Sequence, residues 1–365
     1  METNKLVKIT CKINNNIYLS IIDSLKSIGV TRLHLQPARS IVLREKNSLL
    51  GLSIGQSKIE DDQIYSFYFY IPREYEEKVV NYMVEKGKLN IPGRGTVYSE
   101  RVEILYSGFD FLNAEICIEE EISHKVKLSE DLIGINCIVQ RGEGEIIARM
   151  ILERGFGVPT VTFGEGSGLR DKLGLIRIAI SGEKEIINIV INKIDAYELF
   201  NTLIYEGKFD RPGKGFIYMF PIKKGVVNMK IYRGEIKHTA SIEEIIGAID
   251  DLKGNASWRD KGSNIKIEEG VKKGKFIENQ INITFVCNEG KARDLLKVAM
   301  ENGAKGATIS NMSFINTAEK TPTSMPHSRE SADLIVSKNH REDIIRALKD
   351  NDIFSDENFG IIEIS

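Results

Sequence analysis

The sequence predicts an α+β fold built from three copies of one small unit, each with the order strand, helix, strand, strand, helix, strand. The main observation is an internal repeat. Residues 79–95 and 199–215 match without a gap at their Asn, Gly-Lys and Pro-Gly-basic-Gly positions. Residues 344–360 keep the apolar pattern and the last glycine but lack the proline and the basic residue. A repeat of about 120 residues is too long for a solenoid unit and indicates three copies of a whole small domain.

The first half of each copy is predicted to be a strand followed by an amphipathic helix. The opening strands are predicted at residues 6–13, 133–139 and 281–287. Apolar residues then recur at i, i+3 and i+4, which predicts one buried stripe that faces a sheet. Each helix is expected to end at a glycine, the residue favoured just beyond a helix C-terminus. These glycines are Gly29, Gly155 and Gly303.

The second half of each copy is predicted to contain two strands, a helix that carries the repeated motif, and a closing strand. The second strands are predicted at residues 32–36, 160–163 and 307–314. The third strands are predicted at 64–71, 175–180 and 332–336, with 187–191 as a further candidate strand in copy two. The closing strands are predicted at 96–105, 216–221 and 360–364.

This order is the ferredoxin-like unit, an antiparallel sheet with both helices on one face. We expect the bare face to be apolar and to be covered by the sister copies, which would make the chain an intramolecular pseudo-trimer. The predicted domains are 1–106, 132–232 and, in a degenerate form, 280–365.

Two connectors separate the predicted domains. Residues 107–131 include an alternating stretch at 114–122, which predicts an extra edge strand whose charges block further pairing. Residues 233–279 include a predicted helix at 241–249, in which Ser241 and Glu244 form a capping box.

Composition narrows the classes of function. A hydrophobic content of 42% with 28% charged residues is typical of a globular protein, and no apolar run is long enough for a membrane helix. A net charge of −2 provides no basic field for nucleic acid. The chain starts without a signal-peptide pattern and its four cysteines lie far apart, so we expect a cytoplasmic protein without disulfides. The five histidines show no ligand spacing, so we predict neither a metal site nor an enzyme.

The element order, with Arg141-Gly142-Glu143-Gly144-Glu145 in copy two and Pro-Gly-x-Gly before each of the first two closing strands, resembles the PII nitrogen-regulatory signalling proteins and their PII-like relatives. Copy two is the most similar. The resemblance implies three subunits of a PII trimer fused into one chain. It also implies adenine nucleotides bound in clefts between the units, and long inter-strand loops that contact a target protein.

The resemblance assigns the candidate ligand residues. Gly213, Lys214 and Gly215 correspond by position to the PII glycine loop, whose backbone N–H groups hold phosphate, and Gly93, Arg94 and Gly95 are their counterparts in copy one. Lys214 stands where the family usually has Asp. The alternative interpretation is that Pro-Gly-x-Gly is only the tight turn into the last strand.

A second glycine cluster follows the second strand of copy two. Gly164, Gly166 and Gly168 lie where, in PII-like proteins, the base of the target loop contacts the ligand. The alternative is a flexible hairpin loop. The nearby Gly142-x-Gly144 pair is predicted to be a helix-start turn and not a dinucleotide fingerprint.

The predicted function is a monomeric, non-enzymatic signalling protein that binds ATP, ADP or AMP and regulates a protein partner through residues 40–63 and 315–330. Two alternatives stay open. One is a ligand-free interaction scaffold with the same fold, and the other is a metal-responsive trimer of the CutA kind, against which the scattered His and Cys residues argue.

Overall fold

The computed structural model of the chain is a mixed α/β fold with a mostly antiparallel sheet. It describes residues 6–44, 58–106, 111–113, 115–119, 128–168, 182–211, 213–228, 248–249, 252–253, 277–318 and 327–365. Over this part of the chain, the order strand, helix, strand, strand, helix, strand occurs three times. We call these repeats units one, two and three; they begin at β1, β6 and β11.

The helices and strands of unit one are β1 (Leu6–Asn14), α1 (Asn15–Ser27), β2 (Arg32–Arg44), β3 (Lys58–Pro72), α2 (Glu76–Gly87), β4 (Gly95–Arg101) and a short β5 (Glu103–Tyr106). Those of unit two are β6 (Leu132–Gln140), α3 (Gly144–Glu153), β7 (Thr160–Gly168), β8 (Glu183–Asn192), α4 (Lys193–Glu206), β9 (Gly215–Ile222) and a short β10 (Lys224–Val226). Those of unit three are β11 (Gln280–Asn288), α5 (Ala292–Glu301), β12 (Gly306–Asn316), β13 (Ser328–Ser337), α6 (Arg341–Asp350) and β14 (Ile361–Ile364).

Strand pairing is the same inside each unit. The strand orders are β4-β1-β3-β2, β9-β6-β8-β7 and β14-β11-β13-β12, all antiparallel. In unit one, Val7, Ile9 and Cys11 alternate along β1 and pack with Ile21 and Leu25 of α1 in one hydrophobic cluster. Because strand side chains alternate between the two faces of a sheet, this pattern places the helices on one face only.

The units are joined through two sets of strands. The second strands pair with one another, as β2 with β7, β2 with β12 and β7 with β12. The short strands that follow the closing strands cross to another unit. β10 pairs with β4, and β5 pairs with β14.

The face that turns away from the helices differs from the expectation of an apolar surface. On β1 it carries Lys8, Thr10 and Lys12, which alternate with the core residues. Lys8 Nζ lies 2.9 Å from Glu363 Oε1 of unit three, and the Tyr70 hydroxyl donates to Glu363 Oε2 at 2.7 Å. Hydrogen bonding between units satisfies these polar groups, so they are tolerated in the interior.

Two strands of the predicted units require correction. In unit two the third strand is β8, because Ile187, Ile189 and Ile191 form its buried face and it pairs with both β6 and β7. Residues 175–180 lie outside the described residues. The closing strand of unit one is split, since β4 pairs with β1 and β5 pairs with β14 of unit three.

The edge strand predicted at 114–122 does not form over the described residues 115–119. This segment packs beside the turn after α1, where the Cys117 N–H donates to the Ile28 carbonyl at 3.1 Å and Ile116 is buried. A Cβ at Gly29 would lie 2.2 Å from the Glu115 carbonyl oxygen, so the contact is a close backbone approach and not a ladder. The helix predicted at 241–249 lies outside the described residues except for 248 and 249.

The two predicted partner loops are shorter than expected. Residues 40–44 and 58–63 continue β2 and β3 as a paired hairpin, with Ser40 opposite Asp62. Likewise residues 315–316 belong to β12 and 328–330 to β13. Backbone pairing has outweighed the polar composition of these residues, because a strand ladder satisfies backbone groups whatever side chains it carries. Residues 45–57 and 319–326 lie outside the described part.

Candidate functional site

The repeated Pro-Gly-x-Gly motif has the same backbone geometry in units one and two. Gly93 and Gly213 both have φ = 81°, and Gly95 and Gly215 have φ = 139° and 154°. These positive φ values favour glycine. A Cβ at Gly95 would also lie 2.2 Å from the Lys12 carbonyl oxygen. The last glycine therefore allows the chain to pass close to the first strand as it enters the closing strand.

In unit one this loop borders a cleft where units one and two meet, which we call the seam cleft. Unit one lines it with residues of β1, β2, β3 and the glycine loop, and unit two with residues around the start of β7 and the end of β10. The lining residues are Lys12, Asn14, Ser40, Val42, Asp62, Ile64, Gly93, Gly95, Thr96, Val158, Thr160 and Asn228.

Lys12 is the cation of the seam cleft. Its side chain is buried, and its ammonium donates to Thr160 Oγ1 at 3.0 Å and to Asn188 Oδ1. Within the described residues no carboxylate lies at ion-pair distance from it. Burial lowers the pKa of Lys12 to about 7, and the charge of Glu100 offsets part of that effect. An anion in the cleft would supply the counter-charge that this ammonium lacks.

The seam cleft is nearly filled in this conformation. Asn228 Oδ1 accepts a hydrogen bond from the Gly93 N–H at 2.9 Å, so one backbone donor of the glycine loop is already used. The enclosed space is about 20 Å³, which holds one water molecule. Asp62 is the one acidic residue of this lining, and its negative charge disfavours an anion beside it.

The six glycine-loop residues predicted from the sequence fall in two different places. Gly93 and Gly95 line the seam cleft. The Arg94 Nε donates to the Gly87 carbonyl at 2.6 Å. Gly213, Lys214 and Gly215 lie at the equivalent turn of unit two, away from this cleft. There the Lys214 ammonium forms a 2.8 Å ion pair with Glu143, and a Cβ at Gly213 would meet no atom within 4 Å.

The second glycine cluster belongs to a strand and not to a flexible loop. Gly164, Gly166 and Gly168 are in β7, where Gly166 pairs with Thr308 and Gly168 with Gly306 of unit three. A Cβ at Gly164 would lie 2.8 Å from the Ile309 carbonyl oxygen. Gly164 therefore allows units two and three to approach each other closely, and a Cβ at Gly166 would meet the Lys184 side chain of its own unit, so both have a structural reason for glycine that needs no ligand.

The Gly142-x-Gly144 pair opens a helix, as predicted. The N–H groups of Gly142 and Gly144 donate to Glu185 Oε2 at 3.0 and 2.7 Å, and α3 begins at Gly144. Glu185 also accepts from Arg39 of unit one at 2.7 Å. The carboxylate therefore satisfies the first N–H of α3 and one N–H of the turn before it, and it binds the neighbouring unit with the same side chain.

A second group of ionisable side chains lies between the sheets. Its members are Lys8, Lys12, Glu100, Arg329, Asp333 and Glu363. All come from units one and three, whereas unit two contributes neutral groups such as Asn136, whose amide donates to the Tyr218 hydroxyl at 2.8 Å. Burial raises the pKa of Glu100 to about 7, with Lys8 opposing the shift.

Sequence reasoning missed Lys12, Thr160 and Asn228, which give the seam cleft its polar chemistry. One signal was present, because β1 alternates apolar residues with Lys8, Thr10 and Lys12. Such alternation indicates a strand with one apolar and one polar face. It does not show that the polar face is buried, since that depends on the neighbouring units.

Two classes of feature do not occur in the described part of the chain. No group of three or more His, Cys, Asp or Glu side chains there is arranged to hold a metal ion. None of its helices has the length and apolar character needed to cross a membrane.

Comparisons with known proteins show only weak similarity. No family model matches the chain, and no curated protein matches it. Among solved structures, the chain is similar to Arabidopsis thaliana PII bound to citrate, with 20% identity and a TM-score of 0.20, over 26% of this chain and 80% of that one. It is also similar to aspartate kinase from Synechocystis, with 7% identity and a TM-score of 0.21, over 99% of this chain and 43% of that one. At these TM-scores neither similarity identifies the fold of the whole chain or its function.

Proposed function

We propose that the chain is a non-enzymatic regulatory protein whose three ferredoxin-like units form an intramolecular pseudo-trimer, and that it binds an adenine nucleotide in the seam cleft. The observation that carries the proposal is the Lys12 ammonium, which is buried between two units beside a glycine loop and has only neutral hydrogen-bond acceptors. A buried charge without a counter-charge is costly, so a phosphate at this position would be stabilised.

The pseudo-trimer is supported by the cyclic strand pairing between units. The start of β2 pairs with the end of β12, the start of β12 with the end of β7, and the start of β7 with β2 near Ser40. Each second strand thus makes the same two kinds of contact with its neighbours. In such an arrangement fusion into one chain removes the association entropy that separate subunits would lose.

Nucleotide binding requires the cleft to open, because about 20 Å³ is far below the several hundred Å³ of a typical ligand pocket. The contact that must break is the hydrogen bond from the Gly93 N–H to Asn228. Once released, this N–H and the Lys12 ammonium would both face the phosphates.

The test is a thermal-shift panel with ATP, ADP, AMP and inorganic phosphate, followed by calorimetry. A ligand that binds only the native state raises the melting temperature. We expect a nucleotide to raise it for the wild type and for Lys214→Met, which alters a cation outside the cleft. The Lys12→Met variant should lose the shift. An unchanged melting temperature for the wild type with all four compounds would rule out this function.

A second candidate function is a ligand-free interaction scaffold. It is favoured by the Asn228 side chain, which already occupies the glycine-loop donor, and by the small enclosed space. Asn228→Ala separates the two candidates, because it frees the Gly93 N–H. A nucleotide site should then bind at least as tightly as before, whereas a scaffold should bind no nucleotide in either form.

The partner in this proposal is a cytoplasmic protein, contacted by the β2–β3 hairpin and by the connection between β12 and β13. A metal-responsive function of the CutA kind has no supporting cluster of ligands in the described residues. Adding divalent cations to the same thermal-shift panel tests this alternative directly, because a bound metal ion would raise the melting temperature.

A further inference from the structure

Two of the three closing strands are covered on their outer edge by a short strand from another unit. The outer edge of β4 is covered by β10, and that of β14 by β5. In both cases the added strand is antiparallel and comes directly after a closing strand. Over the described residues, β9 of unit two pairs only with β6, so its outer edge has no such strand.

The exposure of the three closing strands agrees with this difference. All four residues of β14 and the first five of β4 are buried, whereas β9 is exposed or half-buried along most of its length. Phe216 in β9 is 43% exposed. β9 also carries no charged residue from Gly215 to Ile222. Open edges are usually protected by charges, bulges or proline. Pro221 is such a residue near the end of β9, but residues 215–220 before it contain neither a charge nor a proline, which indicates a surface that pairs.

The covered β4 edge shows which backbone groups of β9 are available. Gly225 of β10 exchanges both of its backbone hydrogen bonds with Ser129, at 3.0 and 3.1 Å, so its N–H and C=O face away from β4. Its neighbours Lys224 and Val226 therefore face β4, opposite Ser99 and Val97. Backbone groups alternate in direction along a strand, so the same alternation applies to β4.

The equivalent positions in β9 follow from the shared motif. Gly95 and Gly215 begin β4 and β9, so Val97 corresponds to Ile217, Tyr98 to Tyr218 and Ser99 to Met219. The register with the first strand agrees, because Tyr98 pairs with Thr10 and Tyr218 with Asn136. The N–H and C=O groups of Ile217 and Met219 consequently point away from β6, and no strand among the described residues pairs with them.

We propose that the outer edge of β9 is a docking site for a short extended segment of a partner protein, which adds as an antiparallel strand opposite residues 217–219. Strand addition of this kind uses main-chain hydrogen bonds for affinity and individual side chains for specificity. The segment brings a glycine opposite Tyr218. At the equivalent position Gly225 faces Tyr98, and a Cβ there would lie 2.7 Å from the Val97 carbonyl oxygen and 2.8 Å from Tyr98 Cβ.

A second copy of this chain fits the edge less well. In an antiparallel pair, residues whose backbone groups point toward the partner strand lie opposite one another. If two copies of β9 pair, Ile217 or Met219 of one copy must therefore lie opposite Ile217 or Met219 of the other. Every such alignment places Phe216, Tyr218 or Phe220 opposite Tyr218, where the covered β4 edge has glycine. A partner segment with a central glycine avoids this contact.

The first experiment measures amide hydrogen exchange of the full chain at single-residue resolution. The amides of Ile217 and Met219 should exchange at least tenfold faster than those of Val97 and Ser99, which are the matched amides on the covered edge. Protection of Ile217 and Met219 equal to that of Val97 and Ser99 in a monomer would mean that another part of the chain already covers the edge, and would overturn the proposal. The same protection in a dimer, identified by sedimentation velocity, would assign the edge to a second copy and overturn it as well.

The second experiment adds a probe peptide with the sequence of residues 222–228, Ile-Lys-Lys-Gly-Val-Val-Asn, acetylated at its N-terminus. At saturation it should slow exchange at Ile217 and Met219 at least tenfold. The same peptide with Gly225→Val or with Val226→Pro should not. No protection by the parent peptide, or equal protection by all three, would contradict the proposed docking site.

A protein variant provides an independent check. Ile217→Pro removes an N–H that points away from β6, so no hydrogen bond to β6 is lost. A strand edge of this kind is where a sheet tolerates proline best. The variant should bind a fluorescently labelled probe peptide at least tenfold more weakly than the wild type, as measured by anisotropy. Equal affinity of the two proteins would place the peptide elsewhere. If Ile217→Pro fails to fold, the exchange experiment on the wild type decides the proposal.

Discussion

Lys8 of unit one and Glu363 of unit three lie 2.9 Å apart, Nζ to Oε1, although they are separated by almost the whole sequence. Glu363 also accepts a hydrogen bond from the Tyr70 hydroxyl. The carboxylate thereby connects the closing strand of unit three to two strands of unit one. Both side chains are largely withdrawn from solvent, with 15% and 3% exposure, so the loss of one partner leaves a buried charge unpaired.

The Lys8→Met variant should therefore lose stability. We expect a loss of about 3–5 kcal/mol in the free energy of unfolding, the range for removing one partner of a buried pair. Urea denaturation measures it. Glu363→Gln added to Lys8→Met should recover part of the loss, because the unpaired charge is removed. As a matched control, Arg141→Met breaks an exposed pair with Glu183 and should cost much less than Lys8→Met, because water screens an exposed ion pair. Equal losses for Lys8→Met and Arg141→Met would contradict a buried ion pair.

Glu100 should make stability fall as pH rises on the acidic side of neutrality. Burial raises its pKa from 4.5 to about 7 in the folded state, so between these values the folded protein binds more protons than the unfolded chain. Stability then decreases with rising pH across that window and is level above it. Glu100→Gln should remove this contribution, seen as the difference between the two urea-stability profiles. Parallel profiles between pH 4.5 and 7 would show that Glu100 titrates normally.

Lys12 should act in the opposite direction on the alkaline side. Its pKa is lowered by burial from 10.5 to about 7, so between these values the unfolded chain binds more protons than the folded protein. Stability contributed by this group increases with pH across the window. Lys12→Met should remove this contribution, so the difference in the free energy of unfolding between the wild type and Lys12→Met should change with pH from 7 to 10.5. A wild-type profile identical to that of Lys12→Met would contradict the burial of a titrating ammonium.

The two glycines of the repeated motif should differ in their tolerance of alanine. Gly213→Ala meets no atom within 4 Å, so it should cost only the left-handed backbone penalty, about 1–2 kcal/mol. Gly215→Ala adds a Cβ that would lie 2.3 Å from the Ile138 carbonyl oxygen. It should destabilise the protein by more than Gly213→Ala, because the closing strand must shift. Chemical denaturation of both variants tests the order, and a reversed order would mean that the turn can relax.

One thiol should react much faster than the other three. Cys117 is exposed, whereas Cys11, Cys137 and Cys287 are buried. Burial also raises the pKa of each of these buried thiols, to about 12 for Cys287, which lowers the fraction of reactive thiolate. A disulfide-exchange reagent should label one equivalent rapidly in the native protein and four after denaturation. In Cys117→Ser the rapid equivalent should disappear, and its persistence would place a different cysteine at the surface.

Local sequence patterns determined much of this protein. Apolar alternation and helical spacing predicted the first strand and first helix of each unit, and the repeated Pro-Gly-x-Gly predicted the turn at which Gly95 and Gly215 enter the closing strands. These features depend on neighbours a few residues away, so their physical causes are present in short windows of sequence. The third strand of unit two was misplaced because two apolar runs, 175–180 and 187–191, carry similar local signals. Only pairing with β6 and β7 distinguishes β8.

Tertiary structure alone decided the polar interior and the seam cleft. Lys8 and Lys12 follow the alternation expected of a solvated strand face, and nothing near them in sequence indicates burial. Lys12 is buried and Lys8 is only 15% exposed, and this is tolerated because Glu363, Thr160 and Asn188, each more than a hundred residues away, provide hydrogen-bonding partners. Likewise Asn228 reaches Gly93 only because β10 crosses to β4. Which strand edge is covered and which is open depends on contacts between units, and such contacts leave no periodic pattern in the chain.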